Sequence, residues 1–226
     1  NSDHPANLAR LHRTWSGATD RDKLAEASRY YREALLLAPR SALLYSEWGQ
    51  LELVRGEMRT ALAALEKSRS IDDRYAPTFV YLGDAYQLLG RFDEAIKAHA
   101  RAFELDPASL ADGRSDQRLQ AYVKAGKASD LVLAYGDAIT RAPDVASAHD
   151  LYGAVLLQIG SYREAATQLE RSAQLSPASW ITHRNLALTY RQLGRTADAL
   201  VEAEKALRLA PASQVPALQD LLIELR

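Results

Sequence analysis

Apolar residues recur along this chain at spacings of three and four, in blocks of about a dozen residues punctuated by glycine or proline. Over Thr78–Leu89, the residues Phe79, Leu82, Tyr86 and Leu89 share one face of a helix, as a 3.6-residue period requires. Gly90 follows, and only glycine takes a left-handed helix cap without steric cost. A second stripe over Phe92–Leu105 brings Phe92, Ala95, Ile96, His99 and Phe103 together. Asp106-Pro107 closes it, because proline cannot continue a helix. The pattern predicts two amphipathic helices around a short turn.

That pattern repeats. Glycines stand at Gly56, Gly90, Gly126, Gly160 and Gly194, spaced by 34, 36, 34 and 34 residues. Pro39, Pro107, Pro143, Pro177 and Pro211 keep the same beat. A fixed period dictates the whole architecture, and this one divides the chain into units 2–41, 42–75, 76–109, 110–145, 146–179 and 180–213. The remainder, 214–226, places Leu218, Leu221, Leu222 and Leu225 as an amphipathic helix capping the sixth unit. Small residues recur where paired helices must touch: Gly49, Gly83, Gly153 and Ala187 in first helices, and Ala27, Ala61, Ala95, Ala165 and Ala199 in second helices.

The segment Leu82-Gly83-Asp84-Ala85-Tyr86, Gly90-Arg91-Phe92-Asp93-Glu94-Ala95, Ala102 and Leu105-Asp106-Pro107 resembles a tetratricopeptide repeat at nearly every signature position. The resemblance covers about 2–213 and implies an all-α fold. It would be a right-handed superhelical solenoid of six helix-turn-helix units, forming one domain over 1–226, with first helices lining a concave groove. A lone hairpin of this kind cannot bury its apolar face, so stacking must supply the core.

Unit four departs from the pattern. Leu119 and Leu131 replace the expected small residues, so its helices should pack less closely, and the polar stretch Asp106–Asp116 reads as a longer connection. Two readings fit: drift within one repeat, or a local change of curvature at a hinge. The first unit is degenerate, with six extra residues near Gly17–Asp22. Neither Trp15 beside it nor Trp180 at the start of the sixth unit is assigned to core or surface by the pattern.

Composition narrows the chemistry. The 226 residues are 47% hydrophobic and 25% charged, which is globular. With 28 basic against 29 acidic side chains there is no basic face for nucleic acid. No cysteine is present, which excludes disulfides, thiol nucleophiles and thiolate-bound zinc, and fits either the cytoplasm or the exterior. No apolar run approaches the roughly 20 residues that span a bilayer, so direct membrane insertion is not expected. His12 and His99 fall on packing positions, and His149 and His183 occupy equivalent repeat positions on successive hairpins, not the i, i+4 spacing of a helical metal pair. Carboxylates such as Asp72-Asp73, Asp93-Glu94 and Glu202/Glu204 sit at loops or on repeat positions predicted to be solvated, and no nucleophile elbow or phosphate loop is present. A non-enzyme without cofactor or metal is expected.

By the resemblance, positions 2, 5, 9, 12 and 13 of each unit line the groove. Among these and their neighbours, the residues expected to meet a partner are Gln50, Asp84, Gln87, Gln120, Lys124, Asp150, Gln158, Arg184, Asn185, Leu188 and Arg191. Amides can satisfy backbone groups while apolar side chains supply burial, which suits an extended peptide or a partner helix. The lysine and asparagine clamp by which some family members hold a peptide carboxylate is absent from the matching positions. Arg184 and Arg191 share a face, and either jointly hold an anionic group or pair with acidic neighbours. Groove residues such as Leu43, Leu53, Val80 and Leu157 could equally bind a second copy.

The leading expectation is therefore a non-catalytic protein-interaction scaffold. An excess of 22 arginines over six lysines suggests a GC-rich bacterial source. The opening Asn1-Ser2-Asp3-His4-Pro5-Ala6-Asn7-Leu8-Ala9-Arg10 resembles the junction after the membrane part of O-antigen ligase-like proteins. With no Met at position 1, an alternative is an accessory C-terminal module of such a polysaccharide-assembly enzyme.

Overall fold

The computed structural model describes residues 3–16, 20–141 and 143–226, with side chains undescribed at 15 and 16. Trp15 and half of the Gly17–Asp22 insertion, residues 17–19, thus lie outside the described side chains. Among the described residues every element is helical. The chain forms two compact units, Asn1–Leu105 and Asp106–Arg226.

The N-terminal unit contains three antiparallel hairpins. They are α1 (Asp3–Ser16) with α2 (Arg21–Leu37), α3 (Ala42–Arg55) with α4 (Met58–Ile71), and α5 (Ala76–Leu88) with α6 (Phe92–Leu105). The C-terminal unit pairs α7 (Ser115–Lys124) with α8 (Ala128–Ile139), α9 (Ala146–Gln158) with α10 (Tyr162–Leu175), and α11 (Trp180–Gln192) with α12 (Thr196–Leu209). A final helix, α13 (Val215–Glu224), lies against α12. Gly56, Gly90, Gly126, Gly160 and Gly194 all turn at φ between 68° and 83°, so the glycine comb marks the inner turn of five successive hairpins.

Within a hairpin the helices approach through their small residues. A Cβ built on Gly153 would sit 2.6 Å from Leu169 Cγ, and one on Gly49 would sit 2.5 Å from Leu65 Cγ. At Gly83 it would run into the imidazole of His99. Ala61, Ala95, Ala165 and Ala199 are fully buried opposite these positions.

Between hairpins the seam is polar as well as apolar. Ser68 Oγ donates to Ala42 O at 2.7 Å and lies 2.7 Å from Thr78 Oγ1. In the C-terminal unit, Ser172 Oγ donates to Ala146 O at 3.0 Å and lies 3.3 Å from Thr182 Oγ1. Tyr86 donates to Glu66, and Tyr190 to Glu170, each at 2.8 Å. A guanidinium covers each ring, Arg91 at 4.6 Å and Arg195 at 4.1 Å. Each unit thus carries the same latch.

The fourth sequence unit behaves as its pattern suggests. No α-helix occupies 106–114; a one-turn 3-10 helix at Pro107–Leu110 stands there instead. The helices α7 and α8 are short, at 10 and 12 residues, and touch sparsely. Leu119 and Leu131 are nonetheless buried. Arg118, at the repeat position of Leu82 and Leu186, is buried too. It grips Asp112 through Nη1 at 2.7 Å and Nη2 at 2.9 Å, and Nη1 also reaches Leu110 O at 3.4 Å. Burial works against ionisation of Asp112, but the Arg118 guanidinium outweighs it and holds the carboxyl below its ordinary pKa.

The helix α13 buries Leu218, Leu221 and Leu222 in a cluster with Leu186, Ala187, Tyr190, Ala203 and Ala206. Its apolar face thereby closes the core of the last hairpin.

Close helix contact yields a clear expectation. Gly153→Ala should lower stability by about 1–3 kcal/mol through overpacking against Leu169. Gly56→Ala meets open space and should cost less, about 1 kcal/mol for its left-handed backbone. Urea denaturation of both variants checks the order, and the reverse order would show that the turns, not the contacts, limit the hairpin.

Candidate functional site

First helices stand side by side within each unit, α3 against α5 and α9 against α11. Side chains bridge them at a repeat-length separation. In the N-terminal unit Arg10 reaches both carboxylate oxygens of Glu47 through Nε, at 3.1 and 3.0 Å. One turn on, Arg13 Nη1 donates to Gln50 Oε1 at 2.8 Å. The Glu47 bond is the main cause that raises the Arg10 pKa. Burial, then the Glu47 charge, pushes the Tyr31 hydroxyl far above its ordinary value beneath this cluster.

The expected groove residues of this unit fare unequally. Gln50 is half-buried and engaged by Arg13. Gln87 is half-buried and Leu88 is 68% exposed. Asp84 is buried, with its Oδ1 3.4 Å from His99 Nε2. Ser46 and Val80, also groove positions by the repeat pattern, are buried. The fifth position of these units packs inward rather than lining an open surface, because α3 and α5 lie close enough to cover it.

In the C-terminal unit Gln120 on α7 donates to Gln158 on α9 across 3.4 Å, and both are exposed. Lys124 is exposed beyond them. Asp150 accepts a 2.9 Å bond from Thr182 Oγ1. Burial raises its pKa, against the opposing effects of that bond and of the Arg184 charge. The Arg184 guanidinium lies 5.5 Å over the Trp180 ring and donates to Asn185 Oδ1 at 3.2–3.3 Å. Asn185 is buried, and Leu188 packs on the C-terminal core. Arg191 does not join Arg184; its Nη1 pairs with Glu224 of α13 at 2.6 Å. Of the two fates open to these arginines, Arg191 has taken the acidic neighbour.

Three residues of this surface escaped the sequence reading. Arg10 and Arg13 occupy positions 9 and 12 of the degenerate first unit, so the same position rule applied there would have found them. Trp180 is half-buried beneath Arg184, where it walls the start of α11. The histidines are structural: His149 bridges Gln168 and Pro143 O at 2.8 Å each. His183 bridges Glu202 at 2.6 Å and Pro177 O at 2.9 Å. Among the described residues no group of three or more His, Asp or Glu side chains is disposed to hold a metal ion. Among the described residues no helix is long and apolar enough to cross a membrane.

The architecture is that of stacked two-helix repeats, five of them closed by a left-handed glycine, with the same polar latch between the second and third hairpins of each unit. Residues 76–109 and 180–213 both match family models described as tetratricopeptide repeat; the chain is a tetratricopeptide repeat protein. It is 34% identical over 100 residues to the human cell division cycle protein 16 homolog, covering 40% of this chain and 16% of that protein. It is 30% identical over 156 residues to anaphase-promoting complex subunit 7 of Arabidopsis thaliana, covering 68% of this chain and 27% of that one. The chain thus spans less than a third of the length of these relatives. Its fold is similar to yeast Tom70, with a TM-score of 0.64 at 17% identity over 92% of this chain and 46% of that one. It is also similar to the Cut9–Hcn1 structure, with a TM-score of 0.55 at 16% identity over 100% and 46%.

The half-buried carboxylate of Asp150 has a pH signature. A carboxyl with a raised folded pKa holds its proton more tightly folded than unfolded, so its ionisation costs stability as pH climbs above the ordinary 3.8. Asp150→Asn should therefore gain most over the parent chain at neutral pH, and the gain should vanish near pH 3.5. Urea midpoints of both proteins across pH 3.5–7 test this. A gain that does not depend on pH would place the effect elsewhere.

Proposed function

We propose that this chain is a non-catalytic scaffold whose first-helix surfaces bind a peptide or helix of a protein partner. Membership in a family of interaction modules supports a scaffold in general. The first-helix surface supports the finer reading. Leu43, Val54, Leu88, Val123 and Ile181 are 39–68% exposed on α3, α5, α7 and α11. First helices also carry the amides Gln50 and Gln87 in the N-terminal unit, and Gln120, Gln158 and the amine of Lys124 in the C-terminal unit. That pairing of burial potential with donors and acceptors for a partner's backbone is the observation that carries the proposal.

The charged members have separate roles in it. Arg184, placed over Trp180 and bonded to Asn185, offers a preset guanidinium for a carbonyl or carboxylate on the partner. Asp84, Asp150 and Asn185, closed in by their own contacts, shape the surface without touching the ligand. Leu188 and Arg191 support the C-terminal edge, Arg191 through Glu224.

Photo-crosslinking tests the assignment. A benzophenone side chain at Val54, Leu88, Val123 or Ile181 should capture a polypeptide from extracts of the source cells. The same group at the exposed second-helix position Lys97 should not. Lys124→Glu combined with Gln158→Ala should lower capture at Val123 by roughly fivefold or more, as expected for loss of about 1 kcal/mol at a polar contact. Equal yields from first and second helices would overturn the proposal.

A further inference from the structure

Leu36 on α2 is the most exposed large apolar side chain among the described residues, at 82%. Its repeat position holds Ser70, Glu104, Thr140, Gln174 and Arg208 in the other hairpins, all polar. The position stays open where a hairpin stands on either side, as at Ser70 and Gln174. The exposure of Leu36 therefore comes from its place in the repeat. Leu36 borders a cleft of about 630 Å³ between α2 and α3, walled by Leu35, Pro39, Tyr45 and Trp48. The same cleft recurs in the C-terminal unit, between α10 and the hairpin that follows. There the same five positions, four repeats on, are Ala173, Gln174, Pro177, His183 and Leu186.

The two copies have diverged in chemistry. In the C-terminal cleft polar groups answer one another: His183 and Lys205 meet Glu202 at 2.6 and 2.7 Å, and Tyr190 donates to Glu170 at 2.8 Å. In the N-terminal cleft the five walls are aliphatic, aromatic or proline. The Trp48 indole N–H is already satisfied by Ser28 and Glu52, at 3.1 and 3.0 Å, so these walls ask for no polar guest. The charges on the rim are Arg29, Arg32 and Glu33. Arg29 pairs with Glu33 at 3.6 Å and lies 4.9 Å over the Tyr30 ring. Arg32, one helical turn before Leu36, is exposed and holds no ion pair or hydrogen bond among the described residues. Its repeat position holds Glu66, Ala100, Gly136, Glu170 and Glu204 in the other hairpins, so it is basic in the first hairpin alone. The rim thus carries one uncompensated positive charge beside an apolar cleft.

We propose that this cleft docks an acidic, apolar segment of a second protein. A leucine or phenylalanine side chain enters between Leu35, Pro39 and Trp48, and a neighbouring carboxylate meets Arg32. The charge on the rim selects the sign of the guest. A guest confined to the cleft would leave Leu36 bare on its rim, whereas a polypeptide that continues past the cleft covers both. That favours a protein segment over a small amphiphile. One anchored side chain with one exposed ion pair binds weakly, so an isolated peptide is expected to have a Kd on the order of 10⁻³ M. This site is separate from the first-helix surface proposed above: none of those candidate residues lines the cleft.

Proton–nitrogen NMR on the full chain decides it, because the indole N–H of Trp48 reports from the wall of the cleft. The probe is a capped peptide of leucine and phenylalanine flanked by glutamates. In low salt it should move the Trp48 resonance saturably, and added salt should weaken it by screening the exposed charges. A peptide with lysines for the glutamates, or serines for the two apolar residues, should bind at least about fivefold more weakly. Leu36→Ser should weaken the acidic peptide to a similar degree. Arg32→Glu should weaken it about fivefold and favour the lysine peptide instead. Both residues are exposed, so neither variant should shift the urea midpoint. A Trp48 signal unmoved by the acidic peptide, moved equally by the lysine peptide, or indifferent to Arg32→Glu would each overturn the proposal. A Trp48 shift that grows with protein concentration alone also overturns it, assigning the cleft to a second copy. Octanoate matching the peptide at equal concentration overturns it as well, assigning the cleft to a small amphiphile.

Discussion

A two-helix hairpin of this length has one apolar face more than it can cover, and everything else here follows from the need to stack. Helices within a hairpin close on each other through glycine and alanine, as at Gly153 over Leu169 and Gly49 over Leu65. That close approach leaves no room for side chains between them and turns the larger residues toward neighbouring hairpins. The burial that stabilises the fold is then shared between repeats. Leu186 and Tyr190 of α11 share a core with Leu169 of α10 and Leu222 of α13.

Stacking by apolar contact alone would not define register, because such contact is non-directional. The polar seams supply it. A serine hydroxyl that must reach both the first carbonyl of its own hairpin and a threonine of the next tolerates no slippage between them. The tyrosine-to-glutamate bond with its overlying arginine adds a second fixed point at the other end of the seam. His149 and His183 do the same for the loops, each holding a proline carbonyl. This is why the histidines, conspicuous as candidate chemistry, prove to be joinery.

What was legible in the sequence was whatever the period controls. The turns at Gly56, Gly90, Gly126, Gly160 and Gly194, the small residues at helix crossings and the amphipathic α13 all follow from position within a repeat. What was not legible depends on partners outside the helix that carries the residue. Asp84 reads as a groove residue by its position, yet the histidine at His99 draws it inward. Arg191 reads as an anion site beside Arg184, but Glu224 lies within reach on a helix outside the repeats. Arg118 takes the place of a core leucine only because an irregular turn brings Asp112 to neutralise it. None of these pairings is set by position within the repeat: Arg118 and Arg191 each find a carboxylate, and Asp84 finds an imidazole.

The same logic says where to look for function in a repeat protein. Positions that obey the period are explained by folding and carry little other information. Those that break it need a separate reason, which is either internal compensation or an external partner. Arg118 breaks the pattern and is compensated in full by Asp112 and a carbonyl. Arg32 and Leu36 break it and face solvent beside a cavity. A buried charge demands a partner within the fold because its desolvation is costly. An exposed leucine demands none, since its exposure costs only about 1–2 kcal/mol. Such positions can drift toward an outside partner without loss of the fold, whereas seam positions such as Ser68 and Tyr190 cannot. Stability is held in the seams, and recognition is free to vary on the faces between them.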